Sequence, residues 1–250
     1  MKYLSKFLLA CVPVAMLAAC GGGDTADRLG VADPVVRFVH ASPTAPNVTL
    51  YRGTVAQSDA TDAPYRFASN YFDVAMGVSD WPVKTAAGAV TVGTTVSIDP
   101  SRGTKYTIVA LAASSTENSV YVITDPYNKP LTSDSTHLRV MNASFNTSSI
   151  DVYMNDVGTD INGVNPKIAA TAYKTSGPAS GSDSVDIPGG TYQMTITTAG
   201  TKTVLFKGQL AFASNKDLLV LTVPDSQLPG GIRTLVKTEG TAGTTEVPAI

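Results

Sequence analysis

The 250-residue chain holds two cysteines, Cys11 and Cys20, both within its first twenty positions. Beyond them no thiol remains for a disulfide framework or a thiolate metal site. Histidine is as scarce, with only His40 and His137. The two do not fall at matching places in the internal repeat described below, which argues against a histidine-dependent reaction shared by both copies. No HExxH, P-loop or G-x-S-x-G pattern occurs, so the usual signatures of zinc hydrolysis, phosphate cradling and a strained serine nucleophile are missing. The 18 Lys and Arg are scattered and outnumbered by 20 Asp and Glu, and without a basic stripe there is nothing to release counterions from nucleic acid. No segment keeps helical apolar spacing for three turns, and the longest apolar run, Phe7 to Ala19, is interrupted by Pro13. A permanent membrane-spanning helix needs about 20 apolar residues.

That short run has a different use. Lys2 and Lys6 precede it and small residues follow it, the layout of an export signal. Leu17, Ala18, Ala19 and Cys20 resemble the bacterial lipobox. The resemblance implies that residues 1–19 are removed and that Cys20 becomes an acylated first residue holding the protein to a membrane; a soluble secreted protein is the alternative. Gly21 rather than Asp after the cysteine implies sorting to the outer membrane. Residues 20–34, with GGGDTADRLGVADP after the cysteine, read as a flexible tether. Cleavage would leave 16 basic residues against 20 acidic ones.

From residue 35 the chain alternates with period two between turn-forming Gly, Pro, Asn and Asp, and it does so twice. VRFVHASPTAPNVTLYRG at 36–53 is answered by LRVMNASFNTSSIDVYMN at 138–155. At an offset of 102, Arg37, Ala41, Ser42 and Tyr51 fall on Arg139, Ala143, Ser144 and Tyr153. Later features recur in the same order at an offset near 112, which places an insertion within residues 155–183. Tyr192, Met194 and Ile196 share one strand face, with Gln193, Thr195 and Thr197 on the other. The pattern predicts an all-β chain: two tandem antiparallel, immunoglobulin-like β-sandwich domains of about seven strands each, over 35–126 and 137–238. A linker spans 127–136, and 239–250 form a mobile tail with too little apolar content to order itself.

The opening motif RFVHASPTAPNVTLY, the G-T-Y-type strand and the KYTIVA strand resemble DUF4397, a bacterial family of unknown function often found in tandem on lipoproteins. The second copy reads NASF at 142–145 where the family has HASP. The family supplies no catalytic residues to carry over.

The remaining candidates have plain structural readings. His40 is predicted to bond the turn that follows it, and His137 to be exposed. Arg37 and Arg139 are predicted to lay their stems along the sheet with their heads on loop carbonyls. Tyr51 and Tyr153 pack across strands, and Trp81 plugs the first sandwich. Asp156, Asp160, Asn162 and Asn165 offer oxygen ligands for calcium, but in a loop without EF-hand spacing. No catalytic, cofactor-binding or metal-binding residue is assigned, leaving lipidation at Cys20. The chain is read as a non-catalytic, lipid-anchored envelope protein that meets a protein partner. One alternative is a carbohydrate-binding module using exposed aromatics such as Trp81 or Tyr127, for a glycan partner. The other is an envelope hydrolase using His40 or paired carboxylates.

Overall fold

The computed structural model describes residues 32–86, 90–127 and 133–250. Cys20, the signal segment and residues 20–31 of the tether lie outside them, as do residues 128–132 of the predicted linker. The N-terminal half contains β1 (Val35–Ala41), β2 (Val48–Arg52), β3 (Val55–Ala56), β4 (Phe72–Asp73), β5 (Ser79–Trp81), β6 (Val83–Thr85), β7 (Val96–Ile98), β8 (Thr104–Ala112) and β9 (Asn118–Pro126). The C-terminal half contains β10 (Ser135–Asn142), β11 (Ser149–Asn155), β12 (Ile168–Ala172), β13 (Thr175–Gly177), β14 (Val185–Pro188), β15 (Gly190–Thr198), β16 (Val204–Phe212), β17 (Asp217–Pro224), β18 (Ile232–Thr238) and β19 (Thr245–Glu246). The strand count exceeds seven per half because short pieces are numbered separately; Pro82, with no N–H to give, separates β5 from β6.

Each half is a sandwich. Its inner sheet is ordered β4-β1-β8-β9 in the first half and β13-β10-β17-β18-β19, with β14 also on β10, in the second. The outer layers are β3-β2-β6 with β5-β7, and β12-β11-β15-β16. The expected all-antiparallel pairing is corrected at one place in each half. β1 runs parallel to β8, from Val35 opposite Lys105 to Ala41 opposite Leu111. β10 runs parallel to β17, from His137 opposite Asp217 to Asn142 opposite Thr222.

Parallel pairs are stable when both faces are covered, and three layers of core supply the cover. Val36 and Phe38 of β1 pack with Leu50, Trp81 and Ile108 inside the first sandwich. Leu138 and Val140 of β10 pack with Met194, Ile196 and Val220 inside the second. The alternate residues turn the other way: Val39, Val109 and Leu111 meet Met141, Leu219 and Leu221 in a third cluster between the halves. Burying each large aliphatic side chain contributes roughly 1.5–3 kcal/mol. The third cluster is therefore comparable in worth to the net stability of a whole domain, about 5–15 kcal/mol, and the halves form one four-layered body.

The predicted mobile tail, 239–250, is also corrected. β19 pairs with β18, Val247 is buried in the second core, and the Ile250 N–H donates to the Lys207 carbonyl on β16. One buried valine and a sheet edge to bond offset the ordering cost that composition alone left unopposed.

Candidate functional site

On the inner strands the face turned toward the other half is polar at the strand beginnings and apolar farther along. Lys105 and Asp217 stand at corresponding places, one pairing position into β8 and β17 opposite Val35 and His137. They also meet each other: Lys105 Nζ donates to Asp217 Oδ2 at 2.7 Å and lies 3.5 Å from Glu239 Oε1. At the far end of the same strands Tyr173 Oη donates to the Ala112 carbonyl. The inner strands of both halves thus point the same way. The Gly181 N–H of the second half donates to Thr124 on β9, and the Gly243 N–H beyond β18 donates to Ala68 of the first half. Both flanks of the inner strands thus carry a backbone bond from the second half to the first.

Two arginines lie on the inner strands, Arg37 on β1 and Arg139 on β10, and their surroundings differ. Arg139 is saturated: Nη1 donates to the Pro178 and Ala179 carbonyls, and Nη2 to Ser182 O and, at 2.8 Å, to Asp125 Oδ1. Loop carbonyls are what the sequence predicts for it. Arg37 departs from that expectation. Its Nε and Nη2 donate to Thr107 Oγ1 at 3.3 and 3.0 Å, its Cζ lies 4.5 Å from the centre of the Tyr71 ring, and its buried Nη1 has no hydrogen-bond partner. Close by, the buried Lys237 Nζ donates to Asn70 Oδ1 at 3.2 Å and to the Thr241 carbonyl. Burial, reinforced by the Arg37 charge, lowers the Lys237 ammonium to about 8. Lys105 goes the other way. Burial opposes its charge, but Asp217 and then Tyr71 and Glu239 outweigh burial and raise it. Burial also raises the Tyr71 phenol.

Beside Arg37 the seam encloses a cavity of about 10 Å³ whose lining includes Thr107, Asp125, His137, Asp217 and Ser184. Ser184 Oγ donates to Asp125 Oδ1 at 3.4 Å, whereas His137 Nε2 stands 3.4 Å from Asp186 Oδ1. Hydroxyl and imidazole are turned to different carboxylates and form no Ser-His-Asp relay. His137, predicted exposed, has a side chain only 11% exposed, because β10 and β14 pack it against the seam. Sequence reasoning missed Lys105, Asp125, Asp217 and Lys237. The signal was there: a charge inside a strand apolar on both faces, as in TKYTIVALA and IRTLVKT, has to be paired or neutralised.

The other candidates resolve locally. His40 is fully buried, its Nε2 3.0 Å from the Pro46 carbonyl and its Nδ1 accepting the Ser42 N–H at 3.4 Å, so it bonds the following turn as predicted. Burial lowers its pKa, and the Pro46 bond opposes that only in part. No serine hydroxyl or carboxylate is among these partners, and the His40 version of a hydrolase has no relay to work through. Tyr51 and Tyr153 each carry a lysine over the ring, Lys84 at 4.8 Å and Lys202 at 4.4 Å. Trp81 is fully buried in the first core. In the 155–165 loop the Lys202 ammonium donates to the Ile161 and Val164 carbonyls at 2.8 Å each, so the loop's inward oxygens already hold a cation. Among the described residues no three His, Cys, Asp or Glu side chains gather as metal ligands would.

A family model described as a domain of unknown function, DUF4397, matches residues 34–153. Residues 34–153 are a DUF4397 domain. The DUF4397 match takes in the whole first sandwich, then β10 and β11 as far as Tyr153. It therefore spans the Arg139–Asp125 ion pair as well as the His40 turn. No curated protein matches the chain. Among solved structures the chain is similar to CBMbc, of family CBM26, from Eubacterium rectale Amy13K, crystallised in complex with maltoheptaose. Identity is 10% over 86% of this chain and 97% of that one, with a TM-score of 0.23.

Proposed function

We propose that the chain is a non-catalytic, lipid-anchored protein of the cell envelope, acylated at Cys20 and sorted to the outer membrane, whose two halves are copies of one DUF4397-like module presented to a protein partner. The observation that carries the reading is the polarity of the body. The chain enters β1 at Val35, at the end where Lys105 meets Asp217. The paired motif turns, 42–47 and 143–148, lie at the opposite end of the inner strands. A tether fixed at one end would hold both turns away from the membrane, fixed relative to each other by the shared third core, so a partner with two matching sites would gain by avidity. The carboxylates of the seam are held by Arg139 and Lys105, which supports a structural rather than a catalytic use of them. A glycan-stacking platform needs exposed rings, and among the described residues every Trp, Tyr and Phe is buried or half-buried.

The test is proximity labelling from residues 42–47 of the native lipoprotein in intact cells, with the intact mass of the mature protein measured alongside. The expected result is an acylated Cys20 and one enriched partner that is lost when the 42–47 and 143–148 turns are both replaced. An unmodified Cys20 removes the anchor; labelling that recovers only other membrane-anchored bystanders removes the partner.

A further inference from the structure

The two arginines at corresponding places on β1 and β10 set up a comparison within one molecule. Arg139 has a carboxylate, Asp125, against its guanidinium. Arg37 has a hydroxyl, an aromatic ring and a bare nitrogen. Only 4% of Arg37 is exposed, so bulk water does not solvate its charge. Lys237, a neighbouring cation, is held by neutral oxygens. The carboxylates of the seam are engaged elsewhere, Asp125 by Arg139 and Asp217 by Lys105, so neither meets the Arg37 guanidinium. An unpaired buried charge costs several kcal/mol, in order of magnitude, unless a counter-charge neutralises it. A water molecule would satisfy the nitrogen but not the charge.

We propose that the cavity beside Arg37 binds one small monovalent anion of halide size, held by Arg37 Nη1, a buried nitrogen on its wall that no protein group meets. A cavity of about 10 Å³ admits a single such occupant. The two carboxylates on the wall do not bar it, because Asp125 is neutralised by Arg139 and Asp217 by Lys105. The anion completes the weld between the halves. Chloride should therefore strengthen this protein, whereas simple salt screening weakens ion pairs.

Crystals of the described body, residues 32–250, grown or soaked in bromide are expected to show an anomalous peak in contact with Arg37 Nη1. Thermal unfolding of the same protein at constant ionic strength, with chloride exchanged for gluconate, should show a midpoint that rises with chloride, as binding to the native state alone requires. Arg37→Leu should remove the chloride dependence. If that variant does not fold, the bromide result on the unaltered protein decides. Density without anomalous signal beside Arg37, meaning water, overturns the proposal, and so does an unfolding midpoint indifferent to chloride.

Discussion

His40 and Asn142 hold the same turn with different chemistry. The Ser42 N–H bonds His40 Nδ1 at 3.4 Å, and at the corresponding place the Ser144 N–H bonds Asn142 Oδ1 at 3.2 Å. On the other side His40 Nε2 reaches the Pro46 carbonyl and Asn142 Nδ2 the Thr147 carbonyl, at 3.0 and 3.3 Å. An amide presents one acceptor and one donor much as a neutral imidazole does. The imidazole alone titrates, and its folded pKa lies below the ordinary value of 6.5. The unfolded chain then binds the proton more readily, so the stability His40 contributes is complete above about pH 6.5 and is lost as pH falls through the folded pKa. His40→Asn is expected to fold, to cost roughly 1–2 kcal/mol at pH 7, and to flatten the loss of stability below pH 6.5. Urea unfolding at a series of pH values measures this. Equal acid slopes in both proteins would count against the neutral buried imidazole.

The strands and the two separate cores were legible because period-two alternation is a local signal. The loop before β12, with Val157 and Asp160, falls inside the stretch where the offset between the two motifs changes. The third core was not read, although VVRFVHA and TKYTIVALA are buried along nearly every position. Strands buried on both faces lose their alternation and can be recognised by that loss. Gln193, Thr195 and Thr197, on the face opposite the second core, are buried as well. Gln193 accepts the Gly158 N–H and donates to the Thr159 carbonyl, so the loop between β11 and β12 lies over that face. Composition cannot announce which surface a loop will cover. The same limit hid the seam, because Lys105 and Asp217 are 112 positions apart and meet only where the two halves pack together.

That relation makes a prediction of its own. Lys105→Met would leave Asp217 and Glu239 without their cation and is expected to cost about 3 kcal/mol. The double exchange Lys105→Asp with Asp217→Lys puts the same two groups on exchanged halves, with Asp125 near the new lysine as Glu239 is near the old one. It should recover at least half of that loss. Denaturant midpoints of the single variants and the exchange test it. An exchange as unstable as the sum of its parts would show that the two positions are not equivalent for charge.

Lys237 is predicted to be replaceable. Its pKa, lowered to about 8, means that the fold favours the neutral amine. Stability should therefore rise with pH between about 8 and the unfolded value near 10.4, and stay level below 8. Lys237→Met gives up bonds to Asn70 and Thr241 but no longer buries a charge. It is expected to be within about 1 kcal/mol of the natural protein at pH 7, or more stable, and to lack the alkaline rise. A variant that loses several kcal/mol at pH 7 would mean that the ammonium is better paired than its neutral partners suggest.

Removing the tail tests the correction made to it. Glu246 pairs with both Arg66 and Arg233, and the Val247 N–H donates to the Thr234 carbonyl at 3.0 Å. Deleting residues 243–250 uncovers a buried valine and part of the β16 edge, and is expected to cost roughly 2–4 kcal/mol. In the intact chain the Val247 and Ile250 amides should exchange hydrogen slowly. Exchange at the rate of a free peptide would restore the mobile tail.

Calcium makes the last prediction, through Lys202. Besides the Ile161 and Val164 carbonyls, its ammonium donates to Tyr153 Oη at 3.1 Å. Asp160 is engaged with the Asn162 backbone and side chain at 2.9 and 3.0 Å, and those two bonds lower its pKa. The oxygens that a calcium ion would need are thus divided between a resident cation and an Asn. The natural protein is expected to show no calcium-dependent rise in its unfolding midpoint. Lys202→Met should cost about 1 kcal/mol and speed hydrogen exchange at Val164, whose N–H donates to Ile161 at 3.1 Å. A calcium-dependent rise in the natural protein would mean that the ion displaces the lysine, and the loop would then be a metal site after all.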